Sequence, residues 1–250
     1  MVSIDLNSDL GEGAGTEAAV MPLISSVNIA CGAHAGDPVT MRATLALALA
    51  LGVRIGAHPG YRDPANFGRR SLDLPSAALA ADLTEQIVAL QAMAAEAGAR
   101  VAHVKAHGAL YNQGERDEAI ADLIARTVAA IDRSLAVVAT PGSAMARAAV
   151  RAGVPLVREG FIDRAYEPDG TLRSRALPGA MVLDPASAAA QALGFVREGG
   201  VRATDGSFLA LAVDSLCIHG DSPGAVEIAR AVRTAFAEAG ITVRAPESRR

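Results

Sequence analysis

Three short segments carry chemically capable side chains at every second position. Asp5, Asn7 and Asp9 are spaced i, i+2, i+4. His103, Lys105 and His107 repeat that spacing, and so do Cys217, His219 and Asp221. Alternate side chains of an extended strand share one face. Each triplet therefore predicts a strand that aims acids, amides, imidazoles or an ammonium in one direction. The flanking residues in Ile4-Asp5-Leu6 and Val104-Lys105-Ala106 are apolar, which predicts buried strands. Charges placed there need partners, because an unpaired buried charge is costly. Carboxylates, imidazoles and a lysine brought together in this way can move protons and stabilise developing charge.

Other reactive residues fall in turns that follow short apolar runs. His34 lies in Asn28-Ile-Ala-Cys-Gly-Ala-His-Ala-Gly-Asp-Pro38, and His58 in Gly56-Ala-His-Pro-Gly-Tyr-Arg-Asp63. Phe67-Gly-Arg-Arg70 offers Arg69 and Arg70, whose guanidiniums can hold a carboxylate or a phosphate. Glu159, Asp163, Arg164 and Tyr166 cluster near a further strand end. His219-Gly-Asp-Ser-Pro-Gly224 opens the last expected helix, where backbone amides can hold an anion. Asp9, His34 and His58 come from three neighbouring strand ends and can supply a two-histidine, one-carboxylate metal set, although no HExxH-type spacing accompanies them. These residues alone do not assign a tightly bound metal. Gly13, Gly15 and Ala18 formally match a dinucleotide fingerprint, but Asp9, Glu12 and Glu17 would oppose a pyrophosphate there. The glycines are read as tight turns instead. Neither a Walker A nor a Gly-x-Ser-x-Gly sequence occurs.

The elements that must position these residues follow from the hydrophobic pattern. Strands are expected at Val2–Leu6, Ser26–Cys31, Val53–His58, Val101–His107, Ala136–Thr140, Pro155–Gly160 and Ser215–His219. Helices are expected at Val39–Leu51, Ser76–Ala97, Glu115–Ile131, Ser143–Ala152, Pro185–Glu198 and Gly224–Ala239. Asp37-Pro38 and Asp184-Pro185 read as an N-cap followed by an N1 proline. Gly52, Gly98, Gly153 and Gly240 stand where a glycine ends a helix. This alternation predicts a mostly parallel sheet with helical cover, either a closed β/α barrel or an open doubly wound sheet. In both, the ligand site lies at the C-terminal strand edge. All five histidines are expected on a strand or within a few residues of that edge. The chain, residues 1–250, reads as one domain, with Glu167–Gly179 as a long functional loop.

Composition narrows the function classes. The chain is 51% hydrophobic and 20% charged, with a formal net charge of −4. That balance predicts a folded core and argues against a nucleic-acid partner. The longest apolar run, Leu45 to Leu51, is too short to cross a membrane. Cys31 and Cys217 are the only cysteines, so no disulfide framework is expected. The opening Met-Val-Ser-Ile-Asp lacks the basic-then-apolar pattern of a secretory signal, and a cytoplasmic protein is expected.

Taken in order, several segments resemble the LamB/YcsF family, the A-type subunits of 5-oxoprolinase. They are Asp5-Leu-Asn-Ser-Asp-Leu-Gly-Glu12, Asn28–Pro38, Gly56–Asp63, Phe67–Arg70, His107-Gly-Ala-Leu-Tyr-Asn112, Asp163-Arg-Ala-Tyr166 with Asp169-Gly170, and Cys217–Gly224. The resemblance implies a seven-stranded β/α barrel related in shape to the glycoside hydrolase/deacetylase superfamily. It also implies opening of the lactam of 5-oxo-L-proline to L-glutamate, with ATP (and its Mg²⁺) cleaved to ADP and phosphate. Two partner subunits, of the B and C types, are implied as well. The sequence departs from the family pattern at Ala33, Ala106, Ile162 and in a short Gly13–Leu23 segment, changes expected at the pocket mouth.

Under that resemblance the candidate residues take roles. Lys105, Arg69 and Arg70 are expected to meet phosphoryl oxygens. Asp9 or Asp5 is expected to activate water, positioned by Asn7. His107 is the expected acid, with His34 and His58 orienting water or substrate. Glu159, Asp163, Arg164, Tyr166 and His219 are expected to bind the substrate. Two other readings stand beside this one: a metal-dependent deacetylase or amidohydrolase acting alone, and a non-catalytic subunit that binds the lactam and docks partners.

Overall fold

In a computed structural model, the Asp5-Asn7-Asp9 triplet lies on one unbroken strand, β1 (Ser3–Leu10). The structure describes residues 2–246; Met1 and residues 247–250, included in the expected domain range, lie outside it. Five more parallel strands follow: β2 (Ser26–Ala30), β3 (Arg54–His58), β4 (His103–Val104), β5 (Ala136–Ala139) and β6 (Leu156–Phe161). After a short antiparallel hairpin, β7 (Gly200–Arg202) and β8 (Phe208–Ala210), the chain enters β9 (Ser215–His219). β9 pairs with both β6 and β1, placing Asp9 opposite His219, and this closes a seven-stranded parallel barrel. The choice between barrel and open sheet is thereby resolved. β10 (Thr242–Val243) adds to the N-terminal end of β1.

The expected strands correspond to β1–β6 and β9. The fourth is shorter than expected, yet backbone bonds from Lys105 N to Ala57 O and from His107 N to Pro59 O carry its pairing onward. The hairpin β7–β8 and the strand β10 depart from the expected set; their apolar runs are too short to stand out.

Helices cover the barrel: α1 (Glu17–Val20), α2 (Pro38–Ala50), α3 (Ser76–Glu96), α4 (Gly108–Gly114), α5 (Glu118–Ile131), α6 (Ala144–Ala152), α7 (Pro185–Arg197) and α8 (Ala225–Glu238). The Asp37 and Asp184 side chains accept hydrogen bonds from Thr40 N and Ser187 N, so both aspartates cap their helices as expected. The expected helix Glu115–Ile131 begins later, because Asp117 accepts from Ala119 N and Ile120 N and starts α5 there. The preceding residues form the separate helix α4.

Apolar burial lies between the outer strand faces and the helices, where Leu6, Leu10, Ile29 and Ile55 share one core with Leu83 and Phe236. The inside of the barrel is different. Layers of branched apolar side chains commonly fill such an interior. Here Asp5, Asn7, Asp9, Asn28, Lys105 and Glu159 fill it instead, all buried. Gly56 makes room for one more polar group. A Cβ there would lie 2.0 Å from His103 Nε2, so the His103 ring occupies the space a side chain on β3 would take.

Candidate active site

Strand parity delivers a connected polar network to the upper barrel. Asn28 Nδ2 donates to Asn7 Oδ1 at 2.8 Å and to Asp9 Oδ1 at 2.7 Å. His103 Nε2 donates to Asn28 Oδ1 at 2.7 Å, and Asn7 Nδ2 donates to Glu159 Oε1 at 2.9 Å and Ser215 Oγ at 2.7 Å. Lys105 Nζ enters this frame 3.0 Å from Asp9 Oδ1, 2.9 Å from Glu159 Oε1 and 3.0 Å from Cys217 Sγ. Burial works against the ammonium, but the negative charges around it, Asp9 foremost, hold its pKa well above the ordinary lysine value. Burial likewise opposes the Asp9 carboxylate, and His58, Lys105 and His219 together hold its pKa well below the usual range. Glu159 goes the other way: burial raises its pKa more than Lys105 lowers it, and its Oε2 has no partner.

A second cluster lies beside Asp9. Glu12 Oε1 is 3.0 Å from His34 Nε2, 3.1 Å from His107 Nδ1 and 3.6 Å from His58 Nε2. The His34 and His107 rings stack in parallel with centroids 3.6 Å apart. Burial pulls the pKa of His58 down to about 3 and also lowers that of His34, which keeps both rings neutral near pH 7. Burial opposes the Glu12 carboxylate, yet hydrogen bonds from His107 and His34 hold its pKa below the ordinary glutamate value.

His219 completes the wall. Its Nδ1 lies 2.9 Å from Asp163 Oδ2, and its backbone N–H donates to the same oxygen at 3.1 Å. Burial works against Asp163, but His219 keeps it ionised with a lowered pKa. Asp9, Glu12, His58, Lys105, His107 and His219 all line one cavity of about 560 Å³, a size suited to a small molecule. Its rim carries Arg69, Arg116, Arg164, Arg173 and Arg175. The last two belong to the expected functional loop Glu167–Gly179, which therefore covers the cavity.

Of the other expected site residues, Asp5, Asn7, His34, Arg70, Glu159, Asp163 and Tyr166 fall outside the cavity lining. Asp5 lies deeper, accepting from Ser25 Oγ at 2.6 Å, Ser26 Oγ at 2.7 Å and from Ser215 Oγ; burial raises its pKa. Asn7 and Glu159 form the layer between Asp5 and the cavity. His34 and Asp163 stand behind the lining, His34 against Glu12 and His107 and Asp163 against His219. Tyr166 is fully buried, and its Oη accepts from Phe161 N at 2.7 Å. Arg164 reaches the lining, but its guanidinium also donates to the carbonyls of Arg173 and Ala180, and burial pulls its pKa down to about 10. Arg70 is exposed and away from the cavity. His103, grouped with the edge histidines by its strand, sits in the layer below and contacts Asn28. Of the sequence departures, Ala106 lines the cavity, whereas Ala33 and Ile162 are core residues. Glu12, which strand spacing does not mark as a site residue, stands at the centre of the histidines where Asp9 was expected. Its place in the first motif is the available signal.

Comparison with known proteins fits this geometry. The LamB/YcsF family model matches residues 4–250. The chain is 52% identical over 246 residues to the A-type subunit of 5-oxoprolinase from Paracidovorax citrulli, covering 96% of this chain and 98% of that one. A crystal structure of a lactam utilization protein from Thermus thermophilus superposes with a TM-score of 0.93 at 44% identity, covering 98% of this chain and 100% of that chain. A peptidoglycan deacetylase of Bacillus subtilis shares the fold alone, with a TM-score of 0.50 at 9% identity over 98% of this chain and 87% of that one. Matched over nearly its whole length by model and relatives alike, the chain belongs to the LamB/YcsF family.

Proposed function

We propose that this chain is the A-type subunit of an ATP-dependent 5-oxoprolinase, opening the lactam of 5-oxo-L-proline to L-glutamate together with B-type and C-type subunits. The observation that carries the reading is the convergence of Asp9, Lys105 and His219 on one small cavity rimmed by arginines. The names of the relatives supply the substrate. A cytoplasmic location accords with two free, buried cysteines. Among the described residues no helix is long and apolar enough to cross a membrane.

An unstrained five-membered lactam resists hydrolysis, so coupling to ATP makes chemical sense. Transfer of the γ-phosphoryl group to the amide oxygen gives an O-phosphorylated imidate. Water then adds to the imidate carbon, the C–N bond breaks as the ring nitrogen takes a proton, and the resulting acyl phosphate is hydrolysed to glutamate and phosphate. The arginine rim and Lys105 suit phosphoryl oxygens. Asp9 is the water-activating group: Lys105 and Asn28 hold its Oδ1, and its Oδ2 has only His58 Nε2, at 3.4 Å. Asp5 is too deep for that task. His219 replaces His107 as the proton donor to the ring nitrogen. Asp163 fixes its Nδ1 and leaves Nε2 for the cavity, whereas both His107 nitrogens are engaged.

Mixing the chain with its candidate partners, 5-oxoproline and ATP, and omitting each in turn, tests the proposal. Glutamate and phosphate should appear in equal amounts only in the complete mixture. Glutamate formed by this chain alone without ATP would instead select the amidohydrolase reading.

A further inference from the structure

We propose that Glu12, His34, His58 and His107 form a binding site for one divalent transition-metal ion, with zinc the best match. Two backbone carbonyls fix where the ring protons must be. His58 Nδ1 lies 2.8 Å from the carbonyl oxygen of Lys105, and His107 Nε2 lies 2.9 Å from that of Phe67. A carbonyl only accepts, so these outer nitrogens carry the hydrogens. With one hydrogen on each ring, the inner nitrogens are then bare. Yet His58 Nε2 and His107 Nδ1 face each other across 3.0 Å, with Glu12 Oε1 at 3.6 Å and 3.1 Å from them. Lone pairs meet with no hydrogen between them, in a buried place where an unmet polar group is costly. A cation among them satisfies every one of these atoms.

The spacing suits an ion. Donors held about 2.0–2.1 Å from a tetrahedral zinc lie about 3.3 Å apart. Four of the six donor separations in the cluster, 3.0, 3.0, 3.1 and 3.6 Å, bracket that value, and all lie within 4.8 Å. Histidines that ligate a metal commonly donate their other N–H to a carbonyl, which His58 and His107 already do. His34 is the exception, its Nδ1 being buried without a partner. Three imidazoles and one carboxylate favour zinc or a similar ion over Mg²⁺, which prefers oxygen ligands. The site is thus distinct from any Mg²⁺ that accompanies ATP. It differs from the set of Asp9, His34 and His58 suggested by neighbouring strand ends, because Glu12 reaches all three histidines, whereas Asp9 has its Oδ1 held by Lys105 and Asn28 and meets His58 alone, at 3.4 Å from Oδ2.

The competing occupant is a proton: an imidazolium at His107 would donate to Glu12 or His58. Zinc itself is the probe that separates the two. The full chain, stripped with a chelator, should take up one zinc per molecule by elemental analysis and titration, with millimolar Mg²⁺ failing to compete. Zinc should raise the thermal midpoint of the wild type. Glu12→Gln and His107→Gln should each weaken zinc binding by at least about 100-fold, the upper end of what loss of an outer hydrogen-bond partner costs. Both variants should keep a cooperative unfolding transition without metal. Tetrahedral cobalt(II) bands in the visible spectrum of the substituted wild type, lost in Glu12→Gln, support the ligand set. Failure of folded wild type to take up stoichiometric zinc, or equal affinity in the variants, overturns the proposal. The lactam reading is judged separately: ATP-dependent glutamate release by a complex in which this chain takes up no zinc would overturn the metal site alone.

Discussion

Lys105 Nζ and Glu159 Oε1 are 2.9 Å apart at the centre of the barrel, with side chains 2% and 0% exposed. The pair is unequal. Asp9 is the firmly ionised partner of the lysine, while burial pushes Glu159 toward its neutral form. Removing the cation strands an ionised carboxylate in a buried layer; removing the charge of Glu159 does not. Lys105→Met is therefore expected to lower stability by about 3–5 kcal/mol, the usual cost of breaking a buried pair from one side. Glu159→Gln should cost far less. Urea unfolding of the two variants checks the asymmetry, and equal losses would refute it.

Asp9→Asn separates chemistry from folding. The asparagine keeps the shape of the group and an oxygen for Lys105, and loss of the Asp9 charge, which helps to raise the Glu159 pKa, favours ionisation of Glu159 beside the lysine. Its unfolding midpoint should stay near that of the wild type. Turnover by the assembled complex should fall by about 10²–10⁴, the range for loss of a positioned base. Full turnover would remove Asp9 from the mechanism. Asp5→Asn should show the opposite balance, losing stability through the three serine hydroxyls that converge on it.

His219 and Asp163 make a separable pair. His219→Gln removes the proposed proton donor and should cost about 10²–10⁴ in turnover. Asp163→Asn leaves the imidazole present but unfixed at Nδ1, so its loss should be smaller. It should also alter the pH profile of turnover, a readout that simple loss of packing does not produce. Identical profiles for Asp163→Asn and wild type would argue that Asp163 only supports the fold.

Much of this site is legible in the residues. The two-residue period of Asp5-Asn7-Asp9 and of His103-Lys105-His107 maps directly onto a strand face, which is why those groups fall inside the barrel. Depth along the strand is less visible. His103 and Asp5 share that face but sit below the cavity, one pleat repeat of roughly 7 Å per two residues being enough to separate layers. Glu12 is hidden from spacing because it follows the strand in a turn. Gly11, at φ +77°, sends the chain back over the strand end, and no periodicity announces where the next side chain will land. Arg69 and Arg70 are equivalent by sequence; only Arg69 reaches the rim, where it contacts Asp221 and lies 4.8 Å from the centre of the Phe67 ring.

Gly56→Ala probes the packing that supports the network. The added methyl would meet His103 Nε2 and displace the group that donates to Asn28, which in turn holds Asp9. Overpacking of this kind costs about 1–3 kcal/mol. The expected result is a lower unfolding midpoint together with reduced turnover. Unchanged stability would mean that the ring has room to move.

Glu115 supplies a stability change with pH away from the proposed chemistry. Burial raises its carboxyl pKa from the ordinary value of 4.5 to about 7, despite hydrogen bonds from Thr140. Between those values the folded chain holds a proton that the unfolded chain has released. Stability from this group is therefore complete below about pH 4.5 and is lost as pH rises toward 7. The full displacement corresponds to roughly 3 kcal/mol, but the residue is partly open to solvent, so about 1–2 kcal/mol is expected. Glu115→Gln, a mimic of the protonated acid, should match the wild type at pH 4.5 and exceed it by that amount at about pH 8. Urea unfolding at the two pH values measures the difference. An equal gap between variant and wild type at both would show that Glu115 does not titrate in this window.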